Sequence, residues 1–397
     1  MVSKDHIKQL ANAYLKDTIA VRRHLHQHPE LSYQEYETAK YVAQQLREIG
    51  LEPKEGVAET GLTAVIKGKN PDKKTIALRA DMDALPIRES NDVPYKSKKE
   101  GVMHACGHDA HTASLLGASR ILHEVRDQFE GSVKLIFQPG EEKNPGGASL
   151  MIKAGALKDP SPVNIHGQHV MPLIPVGKVG FRPGMYMASA DEIYLTIKGK
   201  GGHAAVPELL TDTVLIASHI IVAMQQIISR NANPKTPTVL SFGKVEAQGA
   251  TNIIPDEVTV AGTFRAMDEE WRAKAHKLIT HMAESIAKGM GAECEVEISK
   301  GYPYLENNPE LTAKSRKAAE DYLGKENVVD LPLWLGAEDF SYYSHEIPAC
   351  FYRLGTRNEA KGITSYVHTP TFDIDENALE IGAGLMAWIA LNELNDD

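Results

Sequence analysis

Residues 103–111 read Met-His-Ala-Cys-Gly-His-Asp-Ala-His, the densest run of metal-capable side chains in the chain. Cys106 and His108 flank a single glycine. A thiolate and an imidazole so spaced can share one cation, because Gly107 lets the backbone turn tightly between them. A buried cysteine beside surface histidines is the ordinary alternative, and spacing alone leaves both open. A rival pairing, His104 with His108 at i and i+4, requires residues 104–108 to be helical. Gly107 and the loop composition argue against it, and the glutamate of an HExxH helix is absent.

A second group follows an apolar run that ends at Phe137: Gln138-Pro-Gly-Glu-Glu142. Functional groups gather at the carboxyl ends of strands in open α/β sheets. Two adjacent carboxylates there can divide the work, one binding metal and the other moving a proton from water to a leaving amine. A bare Glu-Glu pair is more often a solvated turn. Asp81 and Asp83, after the strand-like run Thr75–Leu78, can bind a cation or orient a ligand histidine, or simply cap a helix. His169 and His368, each taken alone, are more often structural than ligating. Together the set holds one thiol, three imidazoles and at least one carboxylate. That suits Zn²⁺ or another borderline divalent ion such as Mn²⁺, Co²⁺ or Ni²⁺. Five ligands exceed the four of a closed structural zinc site and are enough for two ions sharing a bridging group.

These groups need a scaffold. Apolar spacing predicts helices over residues 5–27 and Tyr36–Ile49, the second capped by Ser32 and stopped by Gly50. Strands are expected at Thr63–Lys67, Thr75–Leu78 and Val133–Phe137, with a helix over Ala110–Val125. The alternation predicts an α/β fold: a mixed, largely parallel sheet flanked by helices. The texture changes near residue 185. Strand Ile193–Lys198, helix Asp212–Ser229, strands Val239–Val245 and Glu257–Arg265, helix Glu269–Met290 and strand Glu293–Ser299 make a β-α-β-β-α-β order, the ferredoxin-like unit. The expected organisation is a discontinuous catalytic domain, residues 1–184 and 299–397, interrupted by an inserted ferredoxin-like domain at 185–298. The parent domain resumes with helix Pro309–Leu323, strand Ala349–Leu354 and helix Glu376–Leu394.

The bulk properties exclude several classes. The 397 residues carry a net charge of -10 with no basic stripe, so nucleic acid and anionic membranes are poor partners. The polar start shows no signal peptide. The longest apolar run, Val214–Ile228, is interrupted by polar residues and is short for a bilayer span. Three cysteines, Cys106, Cys294 and Cys350, argue against a disulfide scaffold and point to a reducing cytoplasm.

Seven segments occur in order: Arg79-Ala-Asp-Met-Asp-Ala-Leu-Pro86, His104-Ala-Cys-Gly-His-Asp-Ala-His111, Gln138-Pro-Gly-Glu-Glu142, Gly201-Gly-His-Ala-Ala205, Asn252-Ile-Ile-Pro255, Gly336-Ala-Glu-Asp-Phe340 and His368-Thr-Pro-Thr-Phe-Asp373. The chain closely resembles the dinuclear metallopeptidases of the aminoacylase/carboxypeptidase type. Within them it is similar to the branch of hippurate hydrolase, auxin-conjugate hydrolases and N-acetyl-diaminopimelate deacetylase. The resemblance implies a metal-dependent amidohydrolase that splits N-acyl amino acids using two divalent ions. It implies ligands at Cys106, His108, Glu142, His169 and His368, with Cys106 bridging, Glu141 as general base and acid, and Asp83 orienting the metal site. It implies that the insertion acts as a lid and homodimer interface, with His203 stabilising the oxyanion and Asn252 and Arg265 holding the substrate carboxylate. A dipeptidase or carboxypeptidase on the same site, and a non-catalytic metal-binding homologue, are the competing readings. Three departures from the family pattern bear on substrate preference: Glu208, Lys143-Asn-Pro145 and Thr213.

Overall fold

The computed structural model describes residues 2–395. They form two compact units, divided by contact density. One comprises the chain up to Tyr186, Glu306–Leu333 and the chain from Asp339 onward; the other comprises Met187–Leu305 and Trp334–Glu338.

The first unit is built on an eight-stranded mixed sheet. Its order is Lys54–Val57, Gly61–Lys67, Ser132–Gln138, Thr75–Asp81, Ile165–Pro175, Ala349–Arg357, Val179–Phe181, Val328–Asp330. The central strands, from Ser132–Gln138 through Ala349–Arg357, pair in parallel. Thr75–Asp81 and Ser132–Gln138 are buried at every position, as strands covered on both faces must be, so they read as continuous runs without alternation. Helix Ala378–Asn395 is apolar nearly all round and almost wholly buried, the signature of a core helix. It packs with helices His108–Glu124 and Lys4–Gln27.

One expectation needs correction, and one strand was not foreseen. Helix Tyr36–Ile49 has Glu35 at its N-cap, without a side-chain cap bond. Ser32 is used elsewhere: its hydroxyl donates to Asp83 at 2.6 Å. The eleven-residue strand Ile165–Pro175 escaped the periodicity reading, because its buried stretch includes His166, Gly167, Gln168 and His169. The sequence pattern there is polar for the sake of the site, not for solvent.

The second unit has a four-stranded antiparallel sheet in the order Thr238–Ala247, Glu257–Ala266, Asp191–Lys198, Glu293–Lys300. Asp191–Lys198 alternates in burial along its odd positions, one face packing on helices and the other turned outward. Helices Thr213–Gln226 and Glu269–Gly289 supply the core partners, among them Ile216, Ile220, Met224, Ala275 and Ile279. The stretch Thr213–Asn231 is long and apolar enough by composition to cross a membrane, yet its buried residues pack against this sheet. Buried Arg272 closes the unit by donating to both oxygens of Asp191, at 2.8 and 2.5 Å. Thr213, one of the three departures, is also structural: its buried hydroxyl donates to the carbonyl of Pro255 at 2.7 Å.

Candidate metal centre

Parallel pairing aligns the functional strands. Asp81 sits level with Gln138, and His169 with Arg353. Ala77 pairs with Ile165, and the same offset carries His169 to the level of Asp81. The loops that leave these strand ends bring Asp83, Glu141 and Glu142 to one place.

Gly107 is the pivot of the loop that meets them. It holds φ +87° as the N-cap of helix His108–Glu124, a conformation that side chains disfavour. A Cβ there would lie 2.5 Å from Val170 Cγ2. Because the helix starts only at His108, residues 104–108 are not a helical turn, and the His104/His108 pairing is ruled out. Gly140 does similar work below the two glutamates, at φ +58° with Tyr33 packed against it. Its N–H donates to buried Glu35 at 2.8 Å, which holds the loop. Arg22, fully buried, donates to Asp109 and to Asp373, both at 2.8 Å. It thereby ties the start of the 108–124 helix to the segment that carries His368. The backbone of His368 donates to the carbonyl of Ala105 at 2.7 Å, and its φ of +62° is an unfavourable conformation for a non-glycine residue, of the kind that collects at functional sites.

Cys106 lies at the middle. Its Sγ is 3.4 Å from His169 Nε2 and 3.3 Å from His368 Nε2. Cys106, His108 and His169 form one group whose ligand atoms lie within 4.8 Å of one another, and Cys106, Glu142 and His368 form a second. The thiol belongs to both. His169 Nδ1 donates to its neighbour's carbonyl, Val170 O, at 2.7 Å, so Nε2 presents its lone pair toward Cys106. Burial, then the charge of Arg353, drives the pKa of His169 well below its ordinary value and keeps the ring neutral. His108 Nδ1 bonds Asp83 at 3.1 Å, while buried His108 Nε2 has no hydrogen-bond partner. Glu142 Oε1 is buried without one as well; His368 Nε2 lies 3.1 Å away but misses hydrogen-bond geometry.

These orphaned atoms, converging on a thiol and a neutral imidazole, are what a cation site requires. The charge balance agrees. Burial alone would lower the pKa of His108, but Asp81 and Asp83 outweigh it and raise it to about 10. Burial and then the charges of Glu142 and Glu141 push the Cys106 thiol far up. Four carboxylates around one thiol leave an excess of negative charge that divalent ions would neutralise. The donor set of soft sulfur, imidazole and carboxylate fits borderline divalent metals.

Asp83 accepts from Ser32, from the Glu142 N–H at 3.0 Å and from His108. Burial would raise its pKa, and these bonds outweigh it. Asp83→Asn keeps the volume and weakens the hold on His108. Metal affinity, measured by competition with a chromophoric chelator, is expected to fall about 10–100-fold; unchanged affinity would contradict the orienting role. The sequence reading missed the companion pair: His111 Nδ1 bonds Asp81 at 2.6 Å, and its Nε2 accepts from Val170 N–H at 2.9 Å. Both residues stood in the quoted motifs; an orienting role was open to Asp81 from its place at a strand end, but nothing marked His111 as its partner.

The remaining candidates lie in the second unit. His203 and Asn252 are brought together by a two-stranded ribbon in which Ile253 pairs with His203, and Ala204 N–H donates to the Asn252 carbonyl. His203 is exposed, and its Nδ1 accepts from Ala205 N–H at 3.1 Å, which leaves Nε2 as the protonated nitrogen of the neutral ring. Arg265 is half-buried on strand Glu257–Ala266, paired in register with Val239. Glu208 is exposed in the short turn Pro207–Leu209.

An α/β unit with paired donor triads at its strand ends defines a metallohydrolase scaffold. The chain belongs to the peptidase family M20/M25/M40, whose pattern matches residues 77–392. It is 41% identical over 380 residues to thermostable carboxypeptidase 2 of Saccharolobus solfataricus, covering 95% of each chain. It is 41% identical over 364 residues to the N-acetyl-L-cysteine deacetylase of Bacillus subtilis, covering 92% of this chain and 85% of the relative. A solved Bacillus subtilis structure, a dinuclear metal-binding peptidase of the M20 family, superposes with a TM-score of 0.83 at 36% identity, over 96% of this chain and 99% of the other. The protein is a metal-dependent hydrolase of amide bonds.

Proposed function

We propose that this hydrolase cleaves N-acyl amino acids to a carboxylic acid and a free amino acid. In this reading, two divalent ions, Zn²⁺ or Mn²⁺ with Co²⁺ or Ni²⁺ as alternatives, are held by Cys106, His108, Glu142, His169 and His368. The observation that carries it is the double membership of Cys106 in the two donor triads, beside a further glutamate. Bound ions supply Lewis acidity, polarising the amide carbonyl and acidifying water. Glu141 accepts the proton of the attacking water and returns it to the departing nitrogen, so that hydroxyl goes to the acyl carbon and hydrogen to the amine. Its near-complete burial supports that role, because a carboxylate screened from bulk water exchanges protons with its neighbour. His203 donates from Nε2 to the developing oxyanion. Asn252 and Arg265 hold the substrate carboxylate, Arg265 through its planar fork. The second unit acts as a lid in a homodimer formed with a second copy through that unit, in a reducing cytoplasm where the Cys106 thiol persists.

A carboxypeptidase or dipeptidase is the second reading, favoured by the similarity to the Saccharolobus solfataricus carboxypeptidase. It uses the same residues with a peptide as the acyl group. The separating experiment compares kcat/KM on N-acetyl and N-benzoyl amino acids with that on Gly-X dipeptides, after reconstitution with Mn²⁺ or Zn²⁺. At least tenfold preference for the N-acyl substrates is expected; the reverse preference selects the second reading. No turnover of either class with metal bound would favour a binding protein.

A further inference from the structure

Two of the seven motifs carry residues that the reaction above does not use: Arg79 opens one, and Asp339 lies in Gly336-Ala-Glu-Asp-Phe340. They are joined in the first unit. Arg79 is buried, and its guanidinium donates in three directions: from Nε to Gln138 Oε1 at 2.9 Å, from one terminal nitrogen to Asp81 at 2.7 Å, and from the other to Asp339 at 2.8 Å. Gln138 donates from its amide nitrogen to both oxygens of Asp339 at 2.8 Å. The Ala148 N–H adds a bond to Asp339 Oδ2 at 2.9 Å. The fully buried Asp339 carboxylate is thus held by a guanidinium, an amide and a backbone N–H. Its own N–H donates to Glu141 Oε1 at 3.3 Å.

We infer that Asp339, clamped by Arg79 and Gln138, is a positioning residue for Glu141: it fixes the backbone N–H that aims the glutamate's carboxylate. The inference rests on the proposed role of Glu141 as proton carrier. Asp339 stands outside both triads that contain Cys106 and groups instead with Glu141 and Glu338. Its carboxylate oxygens are already taken by the donors of Arg79, Gln138 and Ala148, so the charge-assisted network around it has a mechanical purpose. A buried carboxylate with several strong donors cannot rotate without losing them, so the peptide N–H of the same residue is held in place. Arg79 couples this clamp to Asp81, which bonds His111, so the base and the thiol side of the centre are set from one guanidinium. A misplacement of about 1 Å can cost about 100-fold in rate, and since Asp339 is in neither triad that contains Cys106, binding of substrate and cations should be spared.

The test is Asp339→Asn, which keeps the volume and the backbone N–H but loses the charge that the clamp grips. In the metal-reconstituted full chain, kcat is expected to fall about 10–100-fold, with KM within about twofold and two ions still bound by elemental analysis. Gln138→Met, which removes two of the gripping bonds, is expected to act in the same sense but less, and it decides the matter if Asp339→Asn does not fold. Unchanged kcat, or a fall that tracks metal loss or a parallel rise in KM, overturns the inference. Glu141→Gln is run alongside. If it stays active, the reading of Glu141 has failed; if it is inactive while the Asp339 and Gln138 variants match the wild type, only the positioning inference has failed.

Discussion

Glu141→Gln is expected to lower kcat about 10³–10⁴-fold while both cations stay bound. The amide keeps the shape of the carboxylate and can still meet the Asp339 N–H, but it has no basic oxygen to accept a proton at neutral pH. The expected loss matches the upper range for a positioned general base and corresponds to about 4–5.5 kcal/mol in activation free energy. The cations should be retained because neither triad that contains Cys106 includes Glu141. Steady-state kinetics with elemental analysis of the same sample checks both halves. Retained turnover would remove Glu141 from the chemistry. Lost turnover with lost metal would make it a ligand instead.

Cys106→Ala is expected to be as damaging by a different route. Because Sγ is common to both triads, its removal takes a donor from each, and the two groups no longer share an atom. Metal affinity should fall by more than the 10–100-fold typical of an outer-shell partner, and activity should fall with it to background. Cys106→Asp is the informative companion. A carboxylate has two oxygens and can bridge two ions, so it should recover part of the metal content that alanine loses. If alanine leaves the metal stoichiometry at two, the thiol is a packing residue and the shared-ligand account fails.

Much of this arrangement was legible in the residues because metal chemistry restricts side-chain type. Cys106 and His108 around Gly107, and the Glu141–Glu142 pair past a strand end, announce themselves through composition, and the structure brings them together with His169 and His368. The first unit's mixed, parallel-centred sheet followed from alternation of apolar runs. What was not legible acts through intermediaries. Ser32 read as a helix cap and instead bonds Asp83. Glu35, which no motif singles out, holds Gly140. Arg22 and Arg79 are buried charges, each tied to partners far along the chain, and no local periodicity signals such pairing. The strand Ile165–Pro175 was hidden for a related reason: residues kept for the site break the apolar run that would have marked it.

The central claim is a pair of cations joined through one thiolate. The most direct measurement is a crystal structure of the Zn²⁺- or Mn²⁺-loaded protein with anomalous scattering at the metal edge. Two peaks are predicted, both in contact with Cys106 Sγ, one also with His108 and His169, the other also with Glu142 and His368. A single peak, or two peaks with Cys106 outside their coordination, would contradict the account.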